Sequence, residues 1–121
     1  MIGFFRRRRE RRAVAVGEAR AALVRLPPLD PGAPDGGDSV IREVVDARAA
    51  VVAALGRVRR RSLAGTLLGE ARNWLTAWLD DVWFAAESES PHTHLLYRQM
   101  TAHLKRVAER LPRENHDATD W

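Results

Sequence analysis

LLGEARNWLTAWLDDVWFAA, Leu67 to Ala86, carries three of the chain's four tryptophans. At about 100° per residue, Leu67, Ala71, Trp74, Leu75, Trp78, Leu79, Val82 and Ala85 share an arc of roughly 140°. Gly69, Glu70, Arg72, Asn73, Thr76, Asp80 and Asp81 fall on the opposite side. The period is helical and the run is too long for one strand. Two aromatics depart from the pattern. Trp83 lies at the edge of the apolar arc, and Phe84 projects into the polar face. A large apolar side chain on a polar face points to a second contact surface.

Working outward, Val40 to Arg61 predicts a helix in which Ile41, Val44, Val51, Val52, Leu55 and Val58 form an apolar stripe. Arg48 falls inside that stripe. A guanidinium there must snorkel, pair with a carboxylate or face a partner, because burying it unpaired costs several kcal/mol. Gly65 reads as the residue after a helix end and Thr66 as an N-cap, so a weak break is expected at 62–66. One continuous helix over 39–88, about 75 Å long, is the alternative. Beyond the tryptophan stretch, Ser90-Pro91 restarts a helix, with Ser as cap and Pro in the first turn. Leu96, Met100, Leu104, Val107 and Leu111 make its inner face, with Tyr97 alongside, and Pro112 stops it.

Towards the other end, Val16, Ala19, Leu23 and Leu26 recur at helical spacing. They predict a helix whose second half packs and whose first turns project or fray. Pro27-Pro28 ends it. Asp and Gly accumulate in 27–38, PPLDPGAPDGGD, which reads as a spacer longer than a bundle usually needs. Asp38 or Ser39 is the expected cap of the next helix. The fold expected is therefore all-α: about four helices in an antiparallel bundle over 13–111, preceded by a basic segment 1–12 and followed by a polar tail 112–121.

Composition narrows the chemistry. Within 121 residues there is no cysteine, so disulfides, thiolate metal sites and cysteine nucleophiles are excluded. The first residues make a poor signal peptide, and no apolar run reaches 18 residues, so a cytoplasmic location is expected. Of the 20 basic residues only Lys105 is not arginine. Arg6, Arg7, Arg8, Arg9, Arg11 and Arg12 crowd the start, and Arg57, Arg59, Arg60 and Arg61 end the second predicted helix. The tryptophan helix is the acidic one. Arginine runs can neutralise nucleic-acid phosphates or, with Ile2, Phe4 and Phe5 beside them, rest on an anionic membrane. They can also dock on acidic protein. The aromatics are not interleaved with the arginines, which argues against a base-stacking platform.

Arg98-x4-His103 and Arg110-x5-His116 fit an Arg-x4–6-His spacing. In that spacing alone the chain resembles the HEPN ribonucleases, four-helix bundles of similar size. The resemblance would imply RNA cleavage through Arg98 and His103. Those two stand about 140° apart on a helix, and Pro112 lies between the second pair. His92 and His103 share a ridge without the i, i+4 spacing of a helical zinc site, and no cofactor or metal motif is present. Adjacent Asp80 and Asp81 point in different directions and are expected to pair with arginines on neighbouring helices. The function expected is a non-catalytic interaction or assembly module, a small subunit of a larger complex or a homo-oligomer, with Trp83, Phe84 and Arg48 as contact residues. A nucleic-acid-binding accessory protein is the first alternative, and a HEPN-like RNase the second.

Overall fold

Every described residue of the computed structural model lies in 2–29, 37–84 or 91–113. Four helices account for most of them: α1 (Ile2–Val24), α2 (Asp38–Leu55), α3 (Leu63–Phe84) and α4 (Pro91–Arg110). No strand occurs among the described residues. The spacer interior (30–36), the α3–α4 connection (85–90, with Ser90) and the tail from 114 lie outside them.

Each helix packs on the next in sequence, and α1 also packs on α4, so the four close into a bundle. Bonds across the helix pairs give the directions. Arg20 of α1 reaches Leu111 and Pro112 past the end of α4, while Tyr97 of α4 reaches Pro27 past the end of α1. Residue numbers rise along one helix as they fall along the other. The same order relates α3 to α4, through Asp81 with Thr93 and Trp74 with His103.

The tryptophan helix supplies the centre. Ala64, Leu67, Leu68, Ala71, Leu75, Trp78 and Leu79 are buried, with Trp74 and Val82 packed at the margin. Leu68 joins the apolar arc read from the sequence. Trp78 is the largest fully buried side chain. Its indole N–H donates to the Thr93 carbonyl at 3.2 Å, and its ring meets Tyr97 at 5.0 Å in a tilted arrangement. Deleting a side chain of this size from a core typically costs about 3–5 kcal/mol.

In α2 the buried residues are Val40, Val44, Ala47, Val51 and Ala54, a clean i, i+4, i+7 repeat. The expected stripe was turned from this, because it weighted bulky residues and passed over Ala47 and Ala54. Small side chains here let α2 approach its neighbours closely. Val52 is exposed, and Ile41 and Leu55 sit at the margin. Gly37, not Asp38 or Ser39, is the N-cap residue; it adopts φ 93°, and its carbonyl accepts the Ile41 amide at 3.0 Å. That left-handed geometry suits glycine.

The break between α2 and α3 comes earlier than the sequence indicated. α2 stops at Leu55, and 56–62 form a turn, so Arg57 to Arg61 sit in a connection and not on a helix. A continuous 39–88 helix is ruled out. Ser62 starts α3: its hydroxyl accepts the Gly65 amide at 3.0 Å and donates to the Arg59 carbonyl at 2.6 Å. Thr66 is inside the first turn, its amide bonded to the Ser62 carbonyl. Gly65 is therefore no C-terminal residue. A Cβ there would meet the Arg59 carbonyl oxygen at 2.2 Å, so the turn can fold back on α3 only over a glycine.

α1 and α4 follow their patterns. Val16, Ala19 and Leu23 are buried and Leu26 is half-buried. Tyr97, Met100, Leu104, Val107, Ala108 and Leu111 are buried on the α4 side. The basic run occupies the first half of α1, helical from Ile2 onward. Among the described residues no helix is long and apolar enough to cross a membrane.

Candidate functional site

Two surfaces stand out, and a third region gathers the α4 residues that the sequence singled out. The first surface lies along α2 and α3. Arg48 is exposed and not inside the apolar stripe. Centring α2 on Val40, Val44, Ala47, Val51 and Ala54 moves Arg48 about 80° away from the core, to the flank facing α3. There its Nε donates to Thr76 Oγ1 at 2.8 Å. Thr76 and Trp83 are seven residues apart and so share a flank of α3, separated by about 20° around the axis and ~10 Å along it. Trp83 is 75% exposed. On α2, Val45 and Val52 flank Arg48 at three and four residues and are 48% and 45% exposed. Two of the three expected contact residues thus stand on one face. The side chain of Phe84 lies outside the description.

The second surface is at the end of the bundle where α1 begins. Arg7, Arg8, Arg9 and Arg11 are exposed there and Arg12 is half-buried, while the Arg6 side chain is not described. Antiparallel packing brings the 56–62 turn alongside. Arg7, Glu10 and Arg11 of α1 line one surface cavity with Ala53 of α2 and Arg57 of the turn that follows it. Burial, then repulsion from Arg59, Arg9 and Arg8, holds the Arg12 guanidinium below its ordinary pKa. Arg57, Arg59, Arg60 and Arg61 are all exposed. Two arginine runs some 45 residues apart in sequence therefore share one end of the molecule.

On α4, the Arg–His pair is divided between faces. Arg98 lines a groove of about 360 Å³ with His94, Tyr97, Thr101 and Lys105, closed on its far side by Leu26 to Leu29. His103 is exposed and stacks its ring on Trp74 of α3, centroids 4.6 Å apart at 22°. The helical repeat alone enforces this separation. His116 lies outside the described residues. Among the described residues no three His, Asp or Glu side chains are grouped to hold a metal ion. Among the described residues Asp81 accepts not from an arginine but from the Thr93 hydroxyl, at 2.9 Å, tying α3 to α4, and Asp80 is exposed.

Two residues that composition gave no reason to notice tie α1 to α4. The Arg20 guanidinium donates from one terminal nitrogen to the carbonyls of Leu111 at 3.2 Å and Pro112 at 2.7 Å. It thereby caps the negative end of α4. Burial, then Arg113 nearby, lowers its pKa. The Tyr97 hydroxyl donates to the Pro27 carbonyl, and burial, with Glu43 second, pushes its pKa up to about 12. Arg20 follows Ala19 on the edge of the core stripe, and that adjacency was the only signal for it in the sequence.

Comparison with known proteins adds no assignment: no protein family, curated protein or solved structure matches this chain.

Proposed function

We propose that this protein is a non-catalytic helical interaction module that takes a protein partner on the outer face of α2 and α3. The observation that carries the reading is Trp83, three-quarters exposed on the flank where Arg48 meets Thr76, with exposed Val45 and Val52 on either side of Arg48 along α2. A tryptophan contributes nothing to the core from that position, and leaving it in water is unfavourable. Trp and Arg are also the residues that most often dominate the energy of a contact patch. The Arg48–Thr76 bond holds the guanidinium in place before any partner arrives, which lowers the ordering cost of binding.

The experiment compares wild type with Trp83→Ser and Val52→Asp by size-exclusion chromatography with light scattering, and by cross-linking in the native host. The expected result is a specific assembly, of copies or with one partner, that both substitutions abolish while helix content and melting temperature stay unchanged. Identical masses and identical cross-linked species in all three proteins would overturn the reading.

A further inference from the structure

The α2–α3 face leaves the arginine end of the bundle unexplained. Arg12, Arg9 and Arg8 stand four, seven and eight residues before Val16, so they continue the buried stripe of α1 back towards its start. Solvation alone would place charges on the outer side of a helix. Here they extend the inner side, past the point where α2 gives way to its turn. Antiparallel pairing sets Arg59 close enough to Arg12 to repel it. α1 forms one wall of a corner here and the 56–62 turn the other, and Arg7 and Arg11 share a surface cavity with Arg57 there, with Glu10 and Glu18 on the same lining. Both walls carry guanidinium groups and no lysine. Arginines gathered this densely at one end raise the local positive potential and attract anions.

We propose that this corner binds the phosphodiester backbone of a nucleic acid, without sequence readout. A guanidinium presents a planar fork that matches two phosphate oxygens. The backbone is a narrow rod of closely spaced charges, one per ~1.7 Å of duplex axis, and a rod can contact both walls. A flat anionic leaflet can contact only one. No aromatic side chain is described among the corner residues, and phosphate contact needs none.

The test uses the full chain with a labelled 20-base-pair DNA duplex, the RNA duplex of the same sequence, and phosphatidylserine-containing vesicles. Anisotropy and co-sedimentation are read at 50 and 200 mM salt. Binding to one or both duplexes is expected at the lower salt, weakened roughly 500-fold at the higher if about five phosphates are neutralised. Whether DNA, RNA or both bind names the source of the backbone. Arg8→Ala/Arg9→Ala and Arg59→Ala/Arg60→Ala/Arg61→Ala should each weaken binding by about tenfold or more and flatten the salt dependence. These side chains are exposed, so circular dichroism should show both variants folded. Arg60→Ala alone, with a smaller loss, replaces the triple variant should that one melt early. The proposal is overturned by absence of duplex binding at 50 mM salt, by binding to vesicles alone, or by wild-type affinity when either wall is neutralised.

Discussion

Gly65 shows how much one missing side chain can decide. Its neighbours are backbone: the Arg59 carbonyl oxygen would stand 2.2 Å from a Cβ and that of Arg60 2.7 Å. Backbone cannot rotate aside as a side chain can. Gly65→Ala should therefore cost about 3 kcal/mol, by prising the turn off α3 and breaking the Ser62 cap. Gly69, one helical turn on, has nothing within 4 Å of its Cβ position. Gly69→Ala should stabilise by up to ~1 kcal/mol, because alanine is the better helix former. Urea unfolding of the two variants checks both signs. If Gly65→Ala matches wild type, the described packing of the turn is wrong. In sequence the two glycines look alike, and each is compatible with a helix break. The difference lies in which distant carbonyls come near, and local pattern does not encode that.

At the scale of elements, legibility tracked side-chain size. α3 and α4 were readable because Trp, Leu, Met and Tyr mark their inner faces at helical spacing. α2 was read with the wrong rotation because two of its five buried residues are alanines, which hydrophobic patterning undervalues. That error put Arg48 into the core, and the correct rotation gives it to Thr76. The joint between α1 and α4 left no periodic trace, yet it is where pH should act. Tyr97 is neutral in the fold, and burial raises its pKa from 10.0 to about 12. A raised acid pKa means the protonated form is favoured on folding. The stabilisation is complete below about pH 10 and is lost as pH climbs through 12. Melting temperature should fall more steeply between pH 10 and 12 for wild type than for Tyr97→Phe. At neutral pH the variant should already be weaker by about 1 kcal/mol, from the lost bond to Pro27. Parallel curves for the two proteins would remove Tyr97 as the cause.

For the molecule as a whole, the sequence assigned charge by helix and the structure assigns it by end. α3 is acidic as a segment, but its Asp80 and Asp81 lie at the far end of the bundle, near the start of α4. The start of α1 and the 56–62 turn gather arginine at the opposite end. Which residues share an end depends on the antiparallel order, so the corner was legible only as two separate runs. The proposed contact surface was half legible: Trp83 could be named from the wheel, but Arg48 was named for a reason that proved incorrect.

The Arg20 bonds also bear on how the bundle comes apart. Its bonds to Leu111 and Pro112 span 91 and 92 residues, whereas α1 with α2, α2 with α3 and α3 with α4 are sequence neighbours. Closing that loop costs about 1.6 kcal/mol more than closing one of ~15 residues. The α1–α4 seam should therefore form after the transition state for folding and open first in unfolding. Arg20→Met keeps the aliphatic stem and removes the donors. It should accelerate unfolding about tenfold and change the folding rate less than twofold. Stopped-flow chevrons measure both arms, and a folding arm that slows as much as the unfolding arm quickens would place the seam in the nucleus instead. On this view Arg20 is a latch: it sets how long the folded bundle lasts and leaves the speed of its formation nearly untouched.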